Sequence, residues 1–321
     1  SLRTQWHNLA VLKAHVYALS EVRLTDAGQR QMDTHLKKAG FKALWGAPKR
    51  RKRFSSQVPP GGVAVLVPAE AQARIIPPDT ELRQKWWEES RLMHCVVELD
   101  GQVVHFVNIH GHPNASTDRE QREKNEELLE AAFQWAAEMG NVPVIICGDM
   151  NTSVEASGVL TAALQTGAYK DYQELHEHIS GTPPQPTCFQ KHVSKGTRID
   201  HIFGNRAAST AFGGLDILPK EQTGIPTHRA MRCRLQAKMC SQEGVRYRNL
   251  HPLISPGLKQ KRRRKKEQSQ AAMWHRFCLR YAIQGCRVLH PTPCHPRRLL
   301  GSAYAKQGKG TRPPANAPHM P

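Results

Sequence analysis

Apolar and polar positions follow two different rhythms along residues 1–235. Residues 92–99 and 102–109 alternate around Asp100-Gly101, a strong short-range signal for a β-hairpin. The Val-rich run 61–68 (GGVAVLVP) follows a Pro-Pro-Gly-Gly turn and predicts another strand. Apolar runs at 144–148 (VIICG), 198–203 (RIDHIF) and 230–235 (AMRCRL) predict three more. Helical spacing governs 25–40, where Thr25 offers a cap and Gly40 a stop. It also governs 116–140, a long helix with Ser116, Thr117 and Asp118 as capping candidates, acids in its first turns and Gly140 at its end. Shorter helices are expected over 5–15 and near 155–166. Strands that alternate with helices early, and pair as hairpins elsewhere, predict an α/β fold built on mixed sheets.

Beyond residue 235 the periodicity fades, and the charge changes with it. From Gln236 to the end there are 18 Lys+Arg against 2 Asp+Glu, whereas residues 1–235 hold 28 against 25. A near-neutral body, 1–235, is therefore expected to carry a basic, Pro-rich, largely disordered tail, 236–321. Affinity for polyanions that rests on bulk charge belongs mostly to that tail. Its run at 259–268 (KQKRRRKKEQ) suits a nuclear address or a nonspecific nucleic-acid tether, and 270–285 suits a docking helix. The run PKRRKRF at 48–54 reads first as a solvated or generally phosphate-contacting loop. No recognition motif accompanies the charge, so sequence-specific base reading is not indicated.

None of the eight cysteines forms a C-x-x-C pair, and three of the four in the body lie in apolar or strand-like runs. That favours reduced, buried thiols and an intracellular, reducing setting. Cys278, Cys286 and Cys294 are spaced too widely for the usual zinc patterns. No stretch approaches the ~20 apolar residues that a membrane span requires. The sequence opens on Ser1 with no signal-like segment ahead of the fold, as expected for a piece of a longer chain.

The stretch VIICGDMNTS (144–153) raises a chemical question, because it ends a buried strand on Asp149. A dry, unpaired carboxylate is costly, so the acid belongs at an open strand end. Strands or strand-like runs deliver polar groups at four other places: Glu21, His110, Asp200 and, just before the last strand, His228. Singly, each has an ordinary explanation. Glu21 can be a polar residue after a strand, His110 a packed histidine, Asp200 a surface partner of His201, and Asp149 with Asn151 an Asp/Asn turn. As a set they are the parts for metal-assisted attack on a phosphate ester. A hard cation such as Mg²⁺ takes oxygen ligands, a carboxylate handles the attacking water, and a histidine balances developing charge.

This ordered set resembles the endonuclease/exonuclease/phosphatase superfamily, which includes deoxyribonuclease I, exonuclease III-like repair nucleases and the endonucleases of LINE-type retrotransposons. The resemblance spans roughly residues 1–235. GDMN matches the family's G-D-x-N, RIDHIF its [RT]-[IL]-D-x-[IV] strand, SEVRL its Q-E-x-[RK] acid, and VNIHGHPN its Tyr- or His-bearing strand; PTHRAM sits where the family has S-D-H-x-P. The resemblance implies a four-layered sandwich of two mixed β-sheets flanked by helices. It implies Glu21 as a ligand to Mg²⁺ (Mn²⁺ as an alternative), and Asp149 as the group that orients or deprotonates water. Asn151 would bond the scissile phosphate, His228 would stabilise the phosphorane with Asp200 orienting it, and His110 would contact the phosphate or leaving group. The implied activity is phosphodiester hydrolysis on DNA, held mainly through phosphate contacts. The alternatives are a relic that only binds nucleic acid, or a phosphatase or phosphodiesterase acting on another phosphate ester. Two departures bear on activity. The chain opens as though cut after the family's first, Asn-bearing strand, and Thr227 stands where the family has an Asp.

Overall fold

Strand β3 (Val63–Pro68) explains why this chain folds in layers. Val63, Val65 and Val67 face one way, Ala64 and Leu66 face the other, and all five are buried. A strand that is apolar on both faces must be covered on both. In the computed structural model, which describes residues 14–49, 61–189, 195–223 and 227–236 together with Leu9 and Leu12, each face has its own cover.

Helix α1 (Asp26–Lys38) covers one face, packing Met32 and Leu36 with Tyr17, Leu24, Ala64 and Leu66. Thr25 caps it as expected, its side chain accepting from Gly28 N at 3.3 Å. Here β3 is the middle of an antiparallel sheet ordered β1-β3-β2, with β1 at Tyr17–Ser20 and β2 at Phe41–Trp45.

The other face of β3 meets a six-stranded sheet ordered β4-β5-β6-β7-β9-β8. Its strands are β4 (Ala73–Ile75), β5 (Leu92–Leu99), β6 (Gln102–His110), β7 (Val144–Asp149), β8 (Tyr169–Asp171) and β9 (Asp200–Asn205). Met93, Cys95, Val97, Phe106, Ile145 and Cys147 form the inner face that receives Val63, Val65 and Val67. Between β5 and β6, Asp100 (φ 50°) and Gly101 (φ 76°) both take the left-handed conformation of the expected hairpin turn.

Only β6 and β7 run parallel, which demands a crossover between them, and α3 (Arg119–Glu138) supplies it. Asp118 caps α3, Oδ1 accepting from Gln121 N at 3.1 Å. The helix covers the outer face of the large sheet, with Phe133 edge-on to Tyr169 and Phe203 and Trp135 edge-on to His94. The hairpin of β10 (Phe212–Ile217) and β11 (Met231–Leu235) adds Leu235 to the core between the sheets. Helix, sheet, sheet, helix is the four-layered order that the sequence implies.

Short helices complete the body: α2 (Glu81–Glu88), α4 (Gly158–Gln165), α5 (Tyr172–Ser180), α6 (Arg206–Ser209) and α7 (Lys220–Thr223). The cap of α4 is Ser157, whose side chain accepts from Leu160 N. Thr152 and Ser153 lie too far upstream to cap it. All these elements fall within one compact unit, Ser1–Trp274. The expected helix over 5–15 (Leu9, Leu12, Ala14 and His15 apart), the basic loop from Arg50 onward, the docking helix, the C-terminal cysteines and the tail from residue 237 lie outside the described residues. Cys95, Cys147 and Cys188 are buried, as the sequence implies.

Candidate active site

Sheet register assembles the site. His110 ends β6 and Asp149 ends β7, and the two are partners in the parallel pair. Asp149 is in turn the partner of Asp200, which opens β9. Three adjacent strands thus present His, Asp and Asp side by side at one rim of the large sheet.

The rim is tight. At Gly148 (φ +135°) a Cβ atom would lie 2.0 Å from Ile109 O, so only glycine lets β7 pass β6 there. Asn151 takes φ +51° and Glu21 φ +57°, positions rarely adopted by residues with a side chain. Both left-handed residues border the same cleft.

Glu21 reaches the rim from the other sheet. Ser20 Oγ donates to Ile109 O at 3.1 Å and accepts from Asp149 N at 3.4 Å, docking the end of β1 on both β6 and β7. Buried Asn108 strengthens this junction, donating from Nδ2 to Leu19 O and Ala64 O, each at 3.0 Å. Glu21 itself is half-exposed and forms an ion pair with Arg23, with Nε 3.2 Å from Oε1.

His228 lies just before β11 and donates from Nδ1 to Asp200, 2.9 Å from Oδ2 and 3.1 Å from Oδ1. Thr187, fully buried, ties the two together. Its hydroxyl oxygen accepts from Ile199 N (3.3 Å) and Asp200 N (3.1 Å), while its carbonyl accepts from Arg229 N (2.7 Å). Cys188 Sγ lies 3.7 Å from His228 Nε2. The expected surface pairing of Asp200 with His201 is corrected by the strand's alternation. His201 points to the opposite face, is buried, and has Nε2 3.1 Å from Thr152 O.

Electrostatics separates the groups. Burial lowers the pKa of His228, but the hydrogen bond to Asp200 and the charge of that carboxylate prevail and hold it up at about 9. Burial, followed by repulsion from Asp200, pushes Asp149 up to about 7. Burial and the nearby cation Arg91 pull His110 down to about 3, so it is a neutral ring at neutral pH. Arg91 went unnoticed in the sequence. It is buried, with Nη1 donating to His110 O (3.1 Å) and Gly111 O (2.7 Å), and no motif announced it. Lys49, also unnoticed individually, is drawn down to about 8, chiefly by burial and then by Arg91.

Of the predicted site residues, the fold brings Asp149, Asp200 and His228 together, with one ligand-type atom from each within 4.8 Å of the others. Asn151 adjoins them, its N–H donating to Asp149 Oδ1 (3.0 Å) and its Nδ2 to Gly111 O (3.1 Å). His110 neighbours Asp149 in the sheet. Glu21 borders the cleft but stands outside the three-residue cluster. The carboxylates that border the cleft, Glu21 among them, offer the oxygen donors that a hard divalent cation takes. His228 Nδ1 is committed to Asp200 and does not serve as a donor to such a cation.

Residues 6–221 match the model of the Endonuclease/Exonuclease/phosphatase family. No curated protein matches the sequence. Among solved structures, an AP endonuclease from Archaeoglobus fulgidus superposes with a TM-score of 0.54 at 16% identity, covering 74% of this chain and 96% of that one. The 3'-5' exonuclease NExo from Neisseria meningitidis gives 0.52 at 17% identity, covering 73% and 94%. The AP endonuclease LMAP from Leishmania major gives 0.51 at 13%, covering 72% and 81%. At these identities the likeness is one of fold.

Proposed function

The chain belongs to the Endonuclease/Exonuclease/phosphatase family, and on that premise we propose that it is a Mg²⁺-dependent phosphodiesterase that cleaves DNA. The observation that carries this reading is the asymmetry of the two register partners Asp149 and Asp200. One carboxylate is committed to His228, whereas the other sits near neutrality.

In this reading Asp149 receives the proton of the attacking water, as a base with a pKa close to the working pH does best. Asn151, pinned at Asp149 Oδ1 and Gly111 O, presents its amide to the scissile phosphate. His228 remains protonated through neutral pH and uses Nε2–H to stabilise the negative oxygens of the phosphorane. Asp200 holds the ring through Nδ1. His110, neutral, lines the cleft beside Asp149 and contacts the phosphate or leaving group. Glu21 would hold the divalent cation, Mg²⁺ or Mn²⁺, which when bound neutralises phosphate charge as a Lewis acid.

DNA is favoured as substrate by the strongly basic segment after residue 235, which suits phosphate contacts and a nuclear setting. The fold likeness to NExo adds to this, since one of its structures holds a product DNA hairpin. We take residues 1–235 as the catalytic body, of a retroelement or repair type, and 236–321 as its nucleic-acid tether. Among the described residues no helix is long and apolar enough to cross a membrane.

Two observations favour a second reading, a nuclease fold that binds nucleic acid without cutting it. Glu21 is engaged by Arg23, and Thr227 supplies no charge beside His228. Nicking of supercoiled plasmid by the full chain, with Mg²⁺ or with EDTA, decides between them. Mg²⁺-dependent nicking that Asp149→Ala and His228→Ala lose, with DNA binding retained, is expected. Binding without nicking would establish the second reading.

A further inference from the structure

Helix α3 buries its Leu128, Leu129 and Ala132 against the large sheet, and on the same stripe it buries Asn125, only 1% exposed. An amide in such a place is costly unless its hydrogen bonds are made. Both are. Asn125 Oδ1 accepts from His112 N at 2.8 Å, and Nδ2 donates to Met150 O at 2.9 Å. His112 belongs to the loop that leaves β6 after His110. Met150 lies between Asp149 and Asn151 in the loop that leaves β7. One side chain from a helix therefore clasps the two loops that flank the cleft.

Three further contacts show how closely those loops are set. Gly111 N donates to Asp149 O at 2.7 Å, and Asn151 Nδ2 donates to Gly111 O at 3.1 Å. A Cβ at Gly111 would lie 2.3 Å from Met150 O and 2.8 Å from Asn125 Oδ1. The two loops and the amide are in direct contact, with no space for either loop to settle differently.

We infer that Asn125 is a positioning residue for phosphodiester cleavage: its amide fixes the loop that follows Asp149 and carries Asn151 against the loop that follows His110. The inference rests on the hydrolase reading above. It concerns a side chain that touches neither water nor phosphate and acts through backbone it holds. Asparagine suits the task because it offers an acceptor and a donor on one short, planar group. Aspartate has the same shape but would turn a second oxygen toward Met150 O.

The test measures initial rates on a fluorescein-labelled DNA duplex with Mg²⁺, and amide hydrogen exchange, for the full chain, Asn125→Asp and Asn125→Ala. Misplacement by about 1 Å can cost a hundredfold in rate, so kcat is expected to fall about 10–100-fold with KM little changed. Exchange is expected to quicken over 110–113 and 149–152 and nowhere else. An unchanged kcat alongside a lowered melting temperature would reduce Asn125 to a scaffold residue and overturn the inference. If neither variant folds, the unsubstituted chain still decides. The His112 amide is expected among its slowly exchanging protons, and fast exchange there would overturn the clasp. Failure of the unsubstituted chain to cleave would sink the hydrolase reading, while the exchange data would still judge the clasp.

Discussion

Asp149 and Asp200 are register partners across the antiparallel pair β7–β9, yet His228 bonds only Asp200, at 2.9 Å. Two identical side chains on neighbouring strands thus receive opposite environments. One gains a cation, and the other is left with the cost of its own charge. Separate roles follow from that difference.

Replacing Asp200 by Asn should narrow the pH range of cleavage. His228 is held at about 9 by Asp200 against the pull of burial. Its charged form is complete below that pH and lost as pH rises through it. Without the carboxylate the pKa drops toward the ordinary value of about 6.5 or below. The alkaline limb of kcat/KM should move down accordingly, so that the variant loses far more rate at pH 8 than at pH 6. A uniform loss at every pH would remove the His228–Asp200 couple from the mechanism.

Asp149→Asn should abolish cleavage and, in EDTA, stabilise the fold at pH 8. A carboxyl raised to about 7 in the folded chain binds more protons there than when unfolded. Its contribution to stability therefore falls as pH rises from about 4 to about 7. Asparagine removes that loss. Thermal melts of both proteins should differ at pH 8 and converge near pH 4. In the variant the remaining slope should be set mainly by His94, His105, His110, His112 and His201, all of which burial lowers to between about 3 and about 4. Stability should then rise with pH up to about 6.5, the unfolded value.

Gly148→Ala should destabilise the body by at least about 2 kcal/mol, because strain at a special backbone conformation adds to a steric clash. The added methyl meets Ile109 O at 2.0 Å. Urea unfolding at pH 7 measures the loss, and a change below a few tenths of a kcal/mol would show that β6 and β7 can part without penalty.

Buried Asp171 forms an ion pair with the partly buried Arg198, and Gln173 N donates to Asp171 Oδ1 at 2.8 Å. Arg198→Met leaves the Asp171 carboxylate without its cation and should cost about 3–5 kcal/mol. Adding Asp171→Asn should recover part of that loss, so the two changes should be non-additive in a double-mutant cycle. Strict additivity would mean that Arg198 is not what balances the Asp171 charge.

Much of this was legible in the sequence where local chemistry and pattern agreed. The Asp100-Gly101 turn, the Thr25 cap and the alternation of β5 and β6 each follow from residues close in the chain. The acids at strand ends were legible too, since a buried strand that ends in Gly148-Asp149 can hardly face anything but an opening. Short elements were not. The strands β2, β4, β8 and β10 and the helices α2 and α5 hold few residues each, and their order comes from packing partners distant in sequence. Arg91 stayed hidden for a related reason: its value lies in two carbonyls, His110 O and Gly111 O, that only the folded sheet brings to it. Likewise the engagement of Glu21 by Arg23 is a matter of side-chain geometry.

The docking of Ser20 on Ile109 O and Asp149 N, and the late place of His228, bear on how the protein is made. A chain emerging from the ribosome can lay down its carboxylates early, since Glu21, Asp149 and Asp200 all precede the last hairpin. The imidazole that partners Asp200 arrives only with the final strand. A nascent or prematurely terminated product would own the acids of the cleft and lack the cationic group opposite them. On the proposed reading, the cleft is therefore chemically complete only when synthesis of the body is complete.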